Sequence, residues 1–308
     1  MELGSWFKHR YGQARFRLVD INCLSYLGLI AFLLIFFHKA VTSWPKYVLM
    51  HAVMMIAILE IVRLGERPPR RKGLWFLRTF YPLVVILLGW EEIDALVRMF
   101  FGSYWATDLL IRADNLIFGV HPTVWVQQFY RPWLDELMAV FYSGYYLFLP
   151  LATVPLFIKK KYEETLAVFS VATLVMFINY FLFYLMPILS PVMAESLNAL
   201  HTRKYSGHLL AELTRILQAH GAVRGGTFPS SHISEALTWA LLSFRYNRKI
   251  GLVLLPAVLG VAISTVYLNY HHALDPIAGL LLGGLLYPVG MKIIKRRGED
   301  PLSKHRLT

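Results

Sequence analysis

Long apolar runs alternate with short polar segments along most of this chain, and each run is bounded by charge or by Pro and Gly. Crossing about 30 Å of hydrocarbon takes roughly 20 largely apolar residues in a helix. Runs that approach this length lie near residues 21–37, 47–62, 74–90, 137–158, 165–189, 233–244, 252–268 and 274–293. The pattern therefore predicts an all-α polytopic integral membrane protein with about eight transmembrane helices. The sixth run is short and starts with polar residues, so it requires a protein interior around its first turn rather than lipid. The first run follows Lys8, Arg10, Arg15 and Arg17, but no small-residue cleavage site comes after it, and it reads as an uncleaved helix.

Composition strengthens this picture. Hydrophobic residues make up 56% of the chain and charged residues 16%, too apolar a balance for a soluble domain of this length. The net charge of +12 raises the question of a nucleic-acid partner, yet the basic residues sit in short loops between apolar runs. They cluster before the first run, at Arg63, Arg67, Arg70, Arg71 and Lys72, at Lys159 to Lys161, at Arg245, Arg248 and Lys249, and at Lys292, Lys295, Arg296 and Arg297. An eight-span chain with both ends inside places all of these loops in the cytoplasm, so the positive-inside rule accounts for them and no nucleic acid is expected. The one cysteine, Cys23, lies inside the first run and has no intramolecular disulfide partner.

The Pro/Arg-rich segment Glu66-Arg67-Pro68-Pro69-Arg70-Arg71 marks the clearest internal boundary. It predicts two leading transmembrane helices in residues 1–70, a six-helix core in residues 71–298 and a cytoplasmic tail in residues 299–308. Two segments fall on the outer side. Residues 91–136 mix charge with Trp105, Phe118, Trp125, Phe129 and Trp133, the pattern of helices lying in the membrane interface, where such aromatics serve as anchors. Residues 194–228 hold His201, Arg203, Lys204, His208, Arg215, His220 and Arg224 against only Glu195 and Glu212. The positive-inside rule discourages that excess outside, and an anion ligand explains it.

Candidate chemistry concentrates in two places on this same face. Arg224-Gly-Gly-Thr-Phe-Pro-Ser-Ser-His232 precedes the sixth run, and Ser264-Thr-Val-Tyr-Leu-Asn-Tyr-His-His-Ala-Leu-Asp275 joins the seventh to the eighth. A Gly-rich stretch entering a helix offers backbone N–H groups and a helix N-terminus to a phosphate, and Arg224 adds a charged planar fork. His271 and Asp275 are four residues apart, so on one helical turn they share a face and the carboxylate orients the imidazole. Such a histidine can attack phosphorus and form a covalent phosphohistidine, with His232 donating a proton to the leaving alcohol.

Pro229-Ser230-Ser231-His232, followed by Ser264 through His271 to Asp275, resembles the second and third motifs of the type 2 phosphatidic acid phosphatase (PAP2) superfamily, whose patterns are P-S-G-H and S-R-x5-H-x3-D. The resemblance implies a six-helix PAP2-like catalytic core with His271 as nucleophile, Asp275 as its partner, His232 as general acid and Ser230 in the phosphate cradle. The segment Ala113-Asp-Asn-Leu-Ile-Phe-Gly-Val120 with Pro122-Thr-Val-Trp125 further resembles the branch that contains inositol phosphorylceramide synthases, and similarity runs from about residue 108 to 293.

Three departures stand out. Ser231 replaces the motif glycine and keeps a hydroxyl there, while Thr265 replaces the third-motif arginine. The first motif, K-x6-R-P, has no clean match, because Pro187-Ile-Leu-Ser-Pro191 lacks basic neighbours. Cations must come from elsewhere. Arg224 is the first candidate, with Arg112, Arg203 and Lys204 after it. The bland readings are a polar filler role for His272, solvated positions for His201, His208 and His220, and a surface ion pair between Arg112 and Asp114.

The outer loops hold no H-x-x-x-H, D-x-D or carboxylate cluster, so neither a metal nor another cofactor is expected. The expected activity is transfer of a phosphoryl or phospho-headgroup from a membrane lipid phosphate ester, with a lipid alcohol as a possible acceptor and the bilayer as the setting. With water as acceptor the same chemistry is that of a lipid phosphatase. A non-catalytic lipid-binding or transport protein is the competing class, although a transporter would show broken helices with polar residues at the midplane.

Overall fold

The computed structural model describes residue 11, residues 14–65 and residues 72–304. The Pro/Arg boundary and its basic residues Arg67, Arg70 and Arg71 lie outside the described residues, as do Lys8 and Arg10. The described chain is helical: α1 (Leu18–Phe36), α2 (Trp44–Gly65), α3 (Lys72–Leu96), α4 (Thr107–Phe118), α5 (Pro132–Gly144), α6 (Phe148–Ile158), α7 (Tyr162–Leu185), α8 (Leu209–Gly221), α9 (Ser231–Tyr246), α10 (Arg248–Tyr267) and α11 (Leu274–Arg296). One isolated parallel bridge, Ile188 to Gly226, is the only β-type pairing among the described residues.

Seven segments among the described residues are long and apolar enough to cross a membrane: α1, α2, α3, α5 with α6, α7, α10 and α11. Their outward faces carry large apolar side chains, including Phe32, Ile35, Leu49, Ile56, Leu252, Val253, Leu281 and Leu285. A surface of this kind belongs in lipid rather than water. The chain is an integral membrane protein.

The eighth expected span, α9, is the one not among these seven. That helix has 16 residues, a rise of about 24 Å at 1.5 Å per residue, yet it joins the two ends of the bundle, from His232 at one end to Tyr246, bonded to Asp300, at the other. It is surrounded by α6, α7, α10 and α11. Its polar first half, Ser231, Ser234, Glu235 and Thr238, is buried in protein rather than exposed to hydrocarbon. Close approach to α11 makes this possible. A Cβ on Gly279 would stand 2.5 Å from the Ser230 carbonyl oxygen, and one on Gly283 2.6 Å from that of Ser234. Two glycines a helical turn apart let the backbones touch, as small residues do in membrane helix pairs.

α7 is the central pillar, with most of its residues buried from Thr165 to Tyr184. Asn179 on α7 donates to Ser234 Oγ at 2.8 Å, joining it to α9. The span formed by α5 and α6 is interrupted by a 3-10 turn at Tyr145–Leu147, and that break sits beside His232.

The helix ends sort into two sets. At the basic end, Arg17 pairs with Glu163 and the Leu18 N–H donates to Glu299, while Arg245 pairs with Asp300. Glu299 and Asp300, which open the segment expected to be a cytoplasmic tail, are thus buried partners of the start of α1 and the end of α9. The first helix also packs against α7, where Asn22 donates to the Ser170 carbonyl and to Thr173 Oγ1. The opposite end carries the two motif segments.

Candidate active site

α10 stops because Asn269 adopts a left-handed conformation, φ +64°. The Tyr270 N–H returns to the Thr265 carbonyl at 2.9 Å and the Asn269 N–H to that of Val266 at 3.1 Å, a Schellman-type C-cap with asparagine at the left-handed position. The His271 N–H also donates to the Thr265 carbonyl, at 3.1 Å. His271 therefore lies in the connection between α10 and α11. The sequence reading that His271 and Asp275 share one helical turn is corrected here, since only Asp275 is in a helix.

The four-residue spacing still brings them together. His271 Nδ1 lies 3.0 Å from Asp275 Oδ2, which also accepts the His272 N–H at 2.9 Å. Nε2 of His271 lies 3.2 Å from Ser230 Oγ. Burial pushes the His271 imidazole down to about 3, against an opposing hydrogen bond with the Thr227 backbone, so the ring is neutral at ordinary pH with its orientation fixed by the carboxylate.

Asp114 secures this connection from outside. Its carboxylate accepts the N–H groups of Ala273 at 2.8 Å and Leu274 at 3.0 Å, the free donors at the start of α11. Burial raises the Asp114 carboxyl above its ordinary value, and those two backbone hydrogen bonds act the other way. The expected surface ion pair with Arg112 is not what forms. Two positions along a helix lie about 200° apart around its axis, so Arg112 is carried to the exposed side of α4 while Asp114 faces inward. His272 fills a structural position, with Nε2 2.9 Å from the Leu189 carbonyl.

Pro187-Ile-Leu189, where the first motif was sought, acts as a staple. The Pro187 carbonyl accepts the Ala106 N–H, the Ile188 carbonyl accepts Thr227 Oγ1, and the Leu189 N–H donates to Thr107 Oγ1. It holds α4, the Gly-rich loop and His272 in register without supplying charge.

Part of the expected phosphate cradle is already committed. The Ser230 N–H donates to the Asp275 carbonyl at 3.1 Å, so that donor is unavailable to a ligand. The N-terminus of α9 begins at Ser231, which lines the cavity together with His232 and His271. His232 Nε2 lies 3.4 Å from Tyr142 Oη, and its ring centroid is 5.5 Å from that of His271.

The cavity on which these groups open has a volume of about 940 Å³. Its far side is apolar, formed by Leu83, Ile86 and Leu87 of α3, Leu149 of α6 and Met176 of α7. Its mouth carries Arg203, Lys204 and Arg215. Arg224 is not among the lining residues. The chain turns at Gly225, φ +82°, where a Cβ would strike Val97, and the Arg224 N–H donates to Asp94 at the end of α3, leaving Arg224 exposed. Arg112 is likewise not in the lining. The first choice of cation from the sequence thus gives way to Arg203, Lys204 and a residue not singled out as a ligand, Arg215. Thr265, in place of the motif arginine, is fully buried and folds back onto the Ala262 carbonyl.

Asp135 and Glu136 were also passed over, and they anchor the backbone of the segment that carries those cations. Asp135 accepts the Ser206 N–H at 2.7 Å and the Tyr267 hydroxyl, and Glu136 accepts the Leu210 N–H at the start of α8. Asp135 in the first turn of α5, followed by Glu136, is the signal that was available. His201 lines the cavity rather than facing solvent, whereas His208 and His220 are exposed. Burial lowers the His201 imidazole below its ordinary value.

The family model described as the PAP2 superfamily matches residues 109–289, which carry α4 through most of α11 and both motif segments. The chain belongs to the PAP2 superfamily. Members of this superfamily are generally phosphatases and phosphotransferases, and lipid phosphate chemistry of that kind agrees with a buried, carboxylate-oriented histidine opening on a half-apolar cavity. The match starts after α3, so the PAP2 region here is joined by three helices that precede it, one of which, α3, supplies an apolar wall of the cavity. No curated protein and no solved structure matches the chain.

Proposed function

We propose that this protein transfers a phosphoryl or phospho-headgroup from a lipid phosphate ester to an alcohol, through a covalent intermediate on His271. The observation that carries the reading is the arrangement at His271, a lining residue of the cavity: Nδ1 is held by Asp275, and Nε2 lies beside the buried Ser230. In the first step the Nε2 lone pair attacks phosphorus, the bond from phosphorus to the leaving oxygen breaks, and His232 gives that oxygen a proton. Asp275 keeps the proton on Nδ1 and stabilises the charge that develops on the ring. In the second step an acceptor hydroxyl loses its proton to His232, attacks phosphorus and releases His271. Arg203, Lys204 and Arg215 balance the phosphate charge at the mouth of the cavity.

Two features support an alcohol over water as acceptor. The segment around Asp114 resembles the inositol phosphorylceramide synthase branch, and the apolar walls give a volume near the upper end of ordinary ligand sites, more than one phosphate headgroup fills. By the positive-inside rule the cavity opens on the extracytoplasmic face, with both termini in the cytoplasm.

The test is turnover of labelled phosphatidic acid, polyprenyl pyrophosphate and phosphatidylinositol by purified protein in EDTA, with and without ceramide, for wild type and His271→Ala. A phospholipid product that appears only with the acceptor supports transfer; phosphate release without it makes the protein a phosphatase. His271→Ala lowers kcat by about a thousandfold or more in either case. Because His271 stays neutral down to about pH 3, kcat/KM holds on the acid side well below pH 6.5. Turnover that survives His271→Ala refutes the covalent histidine.

A further inference from the structure

One buried acid beside the site takes no part in the steps above. Glu235 is fully buried on α9, and neither of its carboxyl oxygens has a hydrogen-bond partner among the described residues. One turn earlier on the same helix, His232 buries its Nδ1, also without a partner. Residues three apart on a helix are neighbours, with Cβ atoms about 5–6 Å apart, so rotation about side-chain bonds brings the carboxyl to the ring nitrogen. Unsatisfied polar atoms in a buried setting are costly, and two complementary ones a turn apart ask for a common explanation.

The other face of the imidazole fixes which nitrogen matters. Gln218 of α8 donates to the Tyr142 hydroxyl, leaving that hydroxyl's own proton for His232 Nε2, 3.4 Å away. A neutral ring that accepts at Nε2 carries its proton on Nδ1. That proton points away from the cavity and needs an acceptor. The remaining neighbours do not provide one: from α3 comes Trp90, from the turn after α5 comes Tyr145 with its ring centroid at 4.6 Å, and from the connection before α11 comes His271. Around Glu235 stand Tyr145 and, from α7, Tyr180. The charged side chains Glu91, Arg203, Lys204 and Arg215 line the cavity that His232 faces.

We propose that Glu235 is the positioning residue of His232, holding its Nδ1 proton so that the ring can carry a second proton on Nε2 and deliver it to the leaving oxygen. This rests on the phosphohistidine reading. Carboxylate with imidazolium, and carboxylic acid with neutral imidazole, are both neutral overall, so the pair shares one proton in a setting where neither charge alone is tolerated. As the bond between phosphorus and the leaving oxygen breaks, the Nε2 proton passes to that oxygen and His232 becomes neutral, with Nδ1–H on the Glu235 carboxylate. When the acceptor hydroxyl attacks, Nε2 regains a proton and the pair returns to its starting state. The site then has two histidines and two carboxyl partners: Asp275 for the nucleophile, Glu235 for the acid.

The experiment compares wild type with Glu235→Gln and Glu235→Asp on two substrates that differ only in the leaving group, a lipid alcohol or nitrophenol. Nitrophenolate leaves without help from an acid. Glu235→Gln lowers kcat on the alkyl ester by about a hundredfold with little change in KM, and by less than about threefold on the nitrophenyl ester. It also moves the high-pH fall of kcat/KM to lower pH, because an imidazolium without its carboxylate loses its proton sooner. Glu235→Asp keeps the carboxyl and shows the same leaving-group dependence to a smaller degree, which serves as the reading if the glutamine variant does not fold. Equal loss on both esters, or an unmoved high-pH limb, overturns the proposal. If His271→Ala is inactive while Glu235→Gln matches wild type on both esters, this inference alone fails; if His271→Ala stays active, the reading beneath it fails.

Discussion

The two ends of the helix bundle treat buried charge differently. At the basic end, Arg78 and Asp20, both fully buried, face each other through two hydrogen bonds of 2.6 Å, and Asp20 also accepts the Tyr81 hydroxyl and the Arg17 N–H. Arg17 meets Glu163 with both guanidinium ends, and Asp300 takes Arg245 and Tyr246. Each of these carboxylates is closed by a cation within the protein, although Nε of Arg78 has no partner among the described residues. At the site end, polar atoms of His232, Glu235, Trp239, His201 and Asn269 are buried with no partner among the described residues. A structural ion here has an opposite charge against it, whereas Glu235 at the site end has neither a counter-charge nor a hydrogen-bond partner among the described residues.

Opening a closed pair sharpens the contrast most. Asp20→Asn removes the counter-charge of a fully buried arginine and lowers stability by about 3–5 kcal/mol, read as a fall in the midpoint of thermal unfolding in detergent. The folded fraction keeps its kcat, because the pair lies at the opposite end of the helices from His271. A variant as stable as wild type, or one that is stable and inactive, breaks the proposed division of labour.

The next largest effect falls on Asp114, which belongs to the site end but is closed in the manner of the other. Asp114→Ala frees the Ala273 and Leu274 N–H groups and loosens the connection that carries His271. A misplacement of about 1 Å costs on the order of a hundredfold in rate, so kcat falls by about that factor while KM changes little. Steady-state kinetics on the substrate identified by the lipid panel measure it, and an equal rise in KM with kcat unchanged assigns Asp114 to binding instead.

What the sequence reveals and what it hides follow the same division. Hydrophobic runs and basic loops expose the helices and their order, because bilayer thickness and loop charge act on local composition. His271, Asp275 and Ser230 were legible because their partners lie within one motif or between two motifs that share a face. The 3-10 break at Tyr145–Leu147 was not, since its consequence is contact with His232, about 90 residues away in sequence. Of the cations, Arg203 and Lys204 were named from the sequence and line the cavity, but the first choice, Arg224, does not, and Arg215 was missed for a related reason. Arg224 is nearest to the motif along the chain, but a glycine turn carries it outside; Arg215 reaches the cavity because Glu136, more than 70 residues earlier, holds the start of α8. Glu235 looks like an ordinary helix residue in sequence, and only the fold shows that its oxygens are buried without partners among the described residues.

The smallest predicted effect separates those cations. Arg215 lies partly over the Tyr205 ring and pairs with Glu212 at the surface, so part of its charge is already balanced, and Arg203 and Lys204 share its role. Replacing any one of the three by alanine raises KM for the lipid phosphate by about tenfold or less, with kcat nearly constant, because a screened surface charge contributes about a kcal/mol. Arg224→Ala and Arg112→Ala leave KM within about twofold, since neither side chain lines the cavity. Raising ionic strength weakens wild type toward the level of the Arg215 variant and leaves the Arg224 variant tracking wild type. If Arg224→Ala instead raises KM more than Arg215→Ala does, the phosphate sits nearer to the Gly-rich loop than to the mouth of the cavity, and the rule that separates open from closed polar atoms fails at its most exposed point.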